Sequence, residues 1–245
     1  MSVTVLVLPS RVITAPVTLP SLSSLPIRAT HVGHHQLPAY GTQVIAGRSE
    51  EPPVTSRVTL VSPAMSRSLR RARFDDADPL DESGTARARS ARGTLRAARR
   101  VLVSPTVRCR GTASALGLEA TEAPELAALD MGRWRGRTLE EVAAAEPDAV
   151  ALWLADPRAA PHGGESVRSL CGRAGRWLEV VQESEDGVLA VVEPEFVRSV
   201  VVVALGMPVE AFWRLDVPPL TATALSGRAG RWNLRLGQPL DASGA

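Results

Sequence analysis

One strand-to-helix stretch in the last quarter of the chain constrains the fold more than any other. Val188–Val192 are five apolar residues in a row, which is typical of a strand covered on both faces. Pro194 cannot donate to a sheet ladder and ends that strand, and the apolar run Phe196–Leu205 predicts a buried helix. Glu193 falls between them, at the carboxyl end of the strand, where open α/β sheets bind ligands.

Strands alternate with helices along the rest of the chain. The sequence predicts strands at 57–62, 101–104 and 188–192, helices at 82–99, 105–116, 138–145, 148–154, 166–183 and 196–205, and a C-terminal hairpin of 221–226 and 232–236. Asp81 is the expected N-cap of the first helix, and Thr138 and Glu141 have capping-box spacing. This alternation predicts an α/β fold with a mostly parallel sheet.

Residues 1–55 differ from the remainder, 56–240, which we expect to be one folded domain. Their first acidic residue is Glu50, and recurring prolines interrupt every periodic pattern. We therefore expect a Pro-rich disordered extension, or a start codon placed too far upstream. His31, His34 and His35 lie here without a nearby cysteine or carboxylate, so the sequence predicts no metal site.

The amino-acid composition indicates the cellular compartment and excludes several classes of binding partner. All 28 basic residues are arginine and the formal net charge is +2, so no polyanionic partner is required. Aromatic residues make up 4% of the chain, too few for a base-stacking surface, and we expect no nucleic-acid partner. Two cysteines make no disulfide framework, and no apolar run approaches the ~18 residues that span a bilayer. The sequence predicts a cytoplasmic protein without a membrane partner or cofactor.

Several motifs follow one another in an order that resembles the histidine phosphatase superfamily, the phosphoglycerate mutase-like proteins. They are Leu60–Ser66, Ser104–Ala113, Leu126–Thr138, Gly163–Ser166 and Val191–Arg198. Their counterparts in the family are Leu-Val-Arg-His-Gly-Glu-Thr, Ser-Pro-x-x-Arg-x-x-x-Thr-Ala, Leu-x-Glu-x-x-x-Gly-x-Trp-x-Gly-x-Thr, Gly-Gly-Glu-Ser and Val-x-His-x-x-x-x-Arg. The resemblance implies a three-layer αβα sandwich with a mostly parallel central sheet.

The same resemblance implies that the catalytic positions have changed. The histidine that accepts the phosphoryl group in the family corresponds to Pro63, and the phosphate-holding arginine before it to Ser62. The acid that protonates the leaving oxygen corresponds to Ala128, and the second pocket histidine to Glu193. Arg108 alone matches the family's pocket.

Arg108 and Glu193 occupy neighbouring family positions, so we predict that they form an ion pair in the former phosphate site. Two like charges ~4 Å apart cost about 4 kcal/mol at an effective dielectric constant of 20, so Glu193 should repel a phosphate. Arg108, Ser62 and Glu193 are the candidate ligand-binding residues. Glu193 and His162, in a loop that borders the family's pocket, are candidate acid–base groups, although an exposed loop histidine is the plainer interpretation of His162.

Other motif residues have structural interpretations. Glu165 and Ser166 are expected to cap the helix that follows them, and Trp134 to anchor packing. Asp130 is expected to face away from the pocket, and Arg198 to pair with a nearby acid.

Three functions remain open from the sequence. The first is a non-catalytic binding protein, a pseudo-phosphatase that holds a small molecule or a protein partner. The second is an enzyme with a rebuilt pocket that uses Glu193 for acid–base chemistry on a non-phosphorylated small molecule. The third is a residual phosphatase or mutase. A monomer and a homodimer are both compatible with the resemblance.

Overall fold

The computed structural model describes residues 55–74, 77–182, 187–228 and 230–240. They belong to one compact unit, Ser49–Ala245. The predictions for the Pro-rich extension fall almost entirely on residues 1–54, and those residues, with the three N-terminal histidines, lie outside the described part of the chain.

A six-stranded mixed sheet forms the centre of the unit. Its strands are β1 (Ser56–Val61), β2 (Arg100–Val103), β3 (Thr121–Glu122), β4 (Val188–Val191), β5 (Thr221–Arg228) and β6 (Arg231–Pro239), in the order β3-β2-β4-β1-β5-β6. The first four are parallel to one another, whereas β5 runs antiparallel to β1 and β6 antiparallel to β5. The predicted mostly parallel sheet and C-terminal hairpin are confirmed.

Helices cover both faces of this sheet. They are α1 (Arg67–Arg70), α2 (Glu82–Ser90), α3 (Val107–Leu116), α4 (Leu139–Ala145), α5 (Pro147–Ala155), α6 (Val167–Gln182) and α7 (Pro194–Ala204), with 3₁₀ turns at Pro124–Leu126, Gly132–Trp134 and Val209–Arg214. None of the helices in the described ranges is long and apolar enough to cross a membrane.

Alternate residues of the central strands feed two separate hydrophobic cores. In β4, Val188 and Ala190 join the larger core with α6 and α7, whereas Val191 joins the smaller core with α2 and α3. β1 divides in the same way, with Leu60 in the larger core and Val61 in the smaller one. Because side chains alternate between the faces of a strand, the sheet is buried on both sides. The three-layer αβα sandwich is therefore confirmed.

Three predicted helix boundaries are wrong. The helix predicted to start at Phe196 begins instead at Pro194, with Glu193 as its N-cap. The helix predicted at 82–99 begins as expected, with the Asp81 carboxylate accepting from the amide of Gly84, but it ends at Ser90. A turn follows in which Gly93 has a φ of 78°, a value that suits glycine. The helix predicted to start at Pro105 begins instead at Val107, because Thr106 is its N-cap and leaves Pro105 outside.

The long amphipathic helix α6 matches its predicted stripe. The seven buried residues are Val167, Leu170, Cys171, Ala174, Trp177, Leu178 and Val181. Ser166 caps this helix, since its hydroxyl oxygen accepts from the amide of Ser169 at 3.1 Å. Glu165 does not share that role, because its carboxylate pairs with Arg173 at 2.6 Å. Trp134 is fully buried and stacks on Phe74, which confirms it as a packing anchor.

Candidate functional site

The candidate site forms where the loops after β2 and β4 meet. The two strands are parallel neighbours, and the amide of Ser104 donates to the carbonyl of Val191 at 2.9 Å. The chain after β2 therefore runs beside the chain after β4. Thr106 and Arg108 follow the first strand, Glu193 follows the second, and all three point into the same space.

Arg108 and Glu193 form the predicted ion pair. Arg108 Nη2 lies 2.7 Å from Glu193 Oε2, and Arg108 Nε donates to Oε1 at 3.3 Å, so two nitrogens of one guanidinium contact both carboxylate oxygens. The side chain of Glu193 is 0% exposed and that of Arg108 is 9% exposed. A buried carboxylate is stable only with such a partner, and the pairing satisfies both charges.

Thr106 completes the group and was missed from the sequence. Its hydroxyl donates to Glu193 Oε1 at 2.7 Å and accepts from the amide of Cys109 at 3.3 Å, so one side chain caps α3 and binds the carboxylate. The signal was present: Thr106 follows Pro105 directly, stands at the start of a helix and precedes Arg108 by two residues.

Burial and pairing act in opposite directions on these charges. Burial raises the pKa of Glu193, Arg108 and Thr106 oppose it, and the net direction is upward. Burial would lower the pKa of Arg108, but the neighbouring carboxylates raise it overall. We assign an ionised pair at neutral pH, because Glu193 accepts in all three contacts and the Thr106 oxygen already accepts from Cys109.

Ser62 is buried but its hydroxyl is bound elsewhere. Ser62 Oγ donates to the carbonyl of Pro218 at 2.6 Å and accepts from the amide of Thr221 at 3.1 Å. The next residue, Pro63, accepts from the amide of Leu220 at 3.2 Å. Positions 62 and 63 are thus tied to the segment that enters β5, and no hydrogen bond joins Ser62 to Arg108 or Glu193. Its predicted role in ligand binding stays a prediction.

His162 lies inside an aromatic cluster, and the expectation of an exposed loop residue is wrong. The residue is 1% exposed, and its ring packs 5.1 Å from Trp134 and 6.3 Å from Trp153, measured between ring centroids. Nδ1 accepts from the amide of Gly164 at 3.0 Å, so the neutral ring carries its proton on Nε2, and burial lowers the pKa. Nε2 has no hydrogen-bond partner among the described residues. The catalytic role suggested for His162 stays a prediction.

The remaining motif residues have structural contacts. The carbonyl of Ala128 accepts from Arg173, the cation that also holds Glu165. Asp130 is exposed and pairs with Arg135, as expected for a residue that faces away. Arg198 donates to the carbonyl of Leu215 at 2.8 Å and forms no ion pair with an acidic residue that the structure describes, so its predicted pairing with an acid is wrong. No cluster of three or more potential metal ligands occurs in the described ranges.

The sequence matches the family model of the histidine phosphatase superfamily, branch 1, over residues 68–238. The chain belongs to the histidine phosphatase superfamily. The match covers more than half of the chain and includes the loops that carry Arg108 and Glu193.

A curated protein matches part of the chain. Phosphoserine phosphatase 1 of Hydrogenobacter thermophilus is 30% identical over 104 residues, which is 41% of this chain and 49% of that protein. The chain thus spans about half the length of the curated relative that it matches.

Solved structures agree in fold over most of the domain. Mycobacterial hydrolase 1 superposes with a TM-score of 0.68 at 24% identity, over 75% of this chain and 98% of its own. A putative alpha-ribazole-5'-P phosphatase from Escherichia coli gives 0.69 at 21% identity, over 76% and 97%. A mycobacterial glucosyl-3-phosphoglycerate phosphatase gives 0.67 at 24%, over 75% and 99%. At these sequence identities, the superpositions show similarity in fold alone.

Proposed function

We propose that this member of the superfamily is a non-catalytic cytoplasmic binding protein, a pseudo-phosphatase. The observation that carries the proposal is the buried ion pair of Arg108 and Glu193 with Thr106 bound to it. In the resemblance drawn from the motifs, this is the place where the family holds a phosphoryl group. Here the carboxylate of Glu193 binds the guanidinium of Arg108 in place of a phosphoryl group.

Electrostatics argues against a phosphate in this site. Phosphoryl transfer depends on fixed positive charge around the transferred group. The charge of Arg108 is already neutralised by a contact of 2.7 Å. A phosphate that displaced Glu193 would leave a buried carboxylate unpaired, which costs several kcal/mol. One charge-assisted hydrogen bond from Arg108 to the phosphate contributes only about 1.5–3 kcal/mol, so phosphate binding is unfavourable.

The described residues also offer no activated nucleophile at this site. Pro63 stands at the position that corresponds to the family's phosphoryl-accepting histidine, and His162 is bound in the aromatic cluster. Cys109 is buried beside the ion pair, and burial raises the pKa of its thiol well above the ordinary value, which keeps it in the unreactive protonated form.

An enzyme with a rebuilt pocket is the second candidate, and the raised pKa of Glu193 is the observation in its favour. However, Glu193 is 0% exposed and both of its oxygens accept hydrogen bonds. A substrate would first have to break those bonds. We therefore rank binding above acid–base catalysis, and both above residual phosphatase or mutase activity.

The decisive experiment combines an assay with a binding measurement. We expect no phosphate release from a generic aryl phosphate, and no calorimetric binding of inorganic phosphate, by the unaltered protein. Glu193→Gln should free Arg108 and produce measurable phosphate binding. Glu165→Gln is the matched control, because it removes the carboxylate of another partly buried arginine pair and should produce no binding.

Two outcomes would overturn the proposal. The first is robust phosphate release that is lost in Arg108→Ala. The second is a Glu193→Gln protein that is folded but still binds no phosphate, which would remove the support from the pairing argument. Thermal-shift screening of carboxylated and uncharged metabolites then tests for a small-molecule ligand, and sedimentation distinguishes a monomer from a homodimer.

A further inference from the structure

One segment of the chain carries positive charge that the pocket does not use. Residues 83–118 contain no aspartate or glutamate, although they include eight arginines. The chain as a whole is nearly balanced, with 28 basic and 26 acidic residues, so this segment concentrates the excess. It comprises most of α2, the turn that follows, β2 and α3.

Most of these arginines have no acidic partner. Arg108 pairs with Glu193 and Arg110 with Glu122. Five others form no ion pair within the part of the chain that the structure describes, and we call them the basic face: Arg87, Arg89, Arg92, Arg96 and Arg100. All are exposed except Arg100, which is half-buried. Two of them, Arg89 and Arg92, line the same groove, where unpaired positive charges attract an anionic partner.

An open groove lies against the basic face, between α2 and α3. Its volume is about 280 Å³. Pro79, Leu80 and Val107 give it an apolar floor, and Arg89 and Arg92 stand beside them. Arg92 is held in place because its Nε donates to the carbonyl of Ala115 at 2.8 Å. The groove therefore combines apolar contact area with two positive charges, of which that of Arg92 is held in place.

Gly111 keeps the floor of this groove open. A Cβ atom at this position would lie 3.4 Å from Leu80 Cγ, in ordinary contact and without a clash. A side chain is thus sterically tolerated at Gly111, and a larger one would fill the space above Leu80. This residue offers a way to alter the shape of the groove while its charge stays unchanged.

We infer that the basic face and its groove bind an acidic protein segment that also presents apolar side chains. Carboxylates of the segment would pair with Arg89 and Arg92, and an apolar side chain would contact Leu80 and Val107. The inference goes beyond the proposed function, since it uses neither Arg108 nor Glu193 and stands whether or not the pocket turns over phosphate.

A nucleic acid fits this surface less well. Single-stranded nucleic acids are held by aromatic side chains that stack on the bases, and residues 79–118 contain no phenylalanine, tyrosine or tryptophan. A phosphate backbone would make no favourable apolar contact with the floor of the groove. A peptide with alternating carboxylate and aliphatic side chains supplies both complements.

The test measures anisotropy of a labelled twelve-residue peptide that alternates leucine and glutamate. We expect the full-length protein to bind it, with an affinity that falls at least threefold between 50 and 200 mM salt because the charges are exposed. Arg89→Glu combined with Arg92→Glu should weaken binding at least tenfold. The matched control is Arg168→Glu with Arg176→Glu, two exposed arginines of α6 on the opposite face of the sheet, and it should change the affinity less than twofold.

Shape is tested separately from charge. Gly111→Met should weaken the leucine–glutamate peptide at least threefold, and a serine–glutamate peptide of equal charge should bind at least fivefold more weakly than the leucine–glutamate one. The inference is overturned if the two peptides bind equally, if the charge-reversal pair leaves binding intact, or if no binding is detected. Tighter binding of a twelve-nucleotide single strand or of phosphatidylserine vesicles would also overturn it.

Discussion

Thr106 shows how one hydroxyl can serve two structures at residue scale. It accepts from the amide of Cys109 at the start of α3 and donates to the buried carboxylate of Glu193. Thr106→Val removes both bonds while it keeps the shape of the side chain. A cap contributes about 1 kcal/mol and a hydrogen bond to a charged group about 1.5–3 kcal/mol, so we expect a loss of about 2–4 kcal/mol in the free energy of unfolding.

Urea denaturation measures this loss, and Thr106→Ser is the matched control. Serine keeps the hydroxyl and should retain most of the stability. Equal destabilisation by serine and valine would mean that the methyl group of Thr106 contributes as much to stability as its hydrogen bonds.

His162 makes stability depend on pH. Burial lowers its pKa below the ordinary value of 6.5, Arg133 acts in the same direction and Asp130 opposes them. The unfolded chain therefore takes up a proton near pH 6.5, and the folded protein takes it up only at lower pH. The stability from this residue is complete above about pH 6.5, falls as the pH decreases, and stops falling below the folded pKa.

His162→Asn tests the assignment, because asparagine still offers an oxygen to the amide of Gly164 but does not titrate. The free energy of unfolding, measured between pH 5 and 7, should vary less steeply with pH in this variant. Identical slopes in the two proteins would show that His162 titrates alike in the folded and unfolded states.

The sequence predicted correctly which residues lie near the site, but it predicted the directions of their side chains less well. Arg108 and Glu193 follow neighbouring parallel strands. Because both charges are buried, each needs the other as a partner, and this fixes the directions of the two side chains. Ser62 also follows such a strand, yet its hydroxyl is directed to Pro218 and Thr221 by the chain that enters β5. A hydroxyl can be satisfied by any nearby carbonyl, so its direction depends on long-range packing that the linear pattern does not contain.

At the scale of elements, two helix glycines show the difference between the helix propensity of a residue and the space that tertiary packing leaves for its side chain. Gly172 lies inside α6, where a Cβ would meet only the guanidinium of Arg176 at 3.7 Å. Gly84 lies inside α2, where a Cβ would come within 2.2 Å of the carbonyl oxygen of Met65. The same change to alanine should therefore have opposite effects at the two positions.

Gly172→Ala should raise the free energy of unfolding by about 0.5–1 kcal/mol, the ordinary gain of alanine over glycine in a helix. Gly84→Ala should lower it by about 1–3 kcal/mol, because α2 must shift away from Met65. Thermal and urea denaturation of the two variants measure both effects. A stabilising Gly84→Ala would mean that α2 moves without resistance.

The end of α2 shows why some elements were predicted less accurately. Alanine and arginine favour helix, so the composition of residues 82–99 predicted one long helix. The chain instead turns after Ser90, passes Gly93 in the left-handed region and reaches Arg100 in register with Val188 of β4. Because Arg100 pairs in the sheet, the helix could not continue to Arg99. By contrast, α6 and β4 were predicted closely, because their apolar patterns match their burial directly.

At the scale of the whole molecule, the two cores differ in kind. The larger one contains bulky aromatic residues, among them Trp134, Trp177, Phe196 and Phe212. The smaller one, under α2 and α3, is built from alanine, valine, leucine and a cysteine. Because hydrophobic stabilisation scales with buried apolar area, the layer of small side chains contributes less free energy than the aromatic layer. The molecule should therefore loosen first on the side of α2.

Native-state hydrogen exchange measures this difference. The amides of α2, which buries only Gly84 and Ala88, should exchange through an opening of lower free energy than those of α6, which buries seven residues. Ala88→Gly should lower protection in α2 alone, whereas Trp177→Leu should lower the free energy of global unfolding and with it the protection of α6. Equal protection in α2 and α6 would mean that the two layers unfold as one cooperative unit, with the charged contacts around Thr106 and Arg108 compensating for the smaller apolar core.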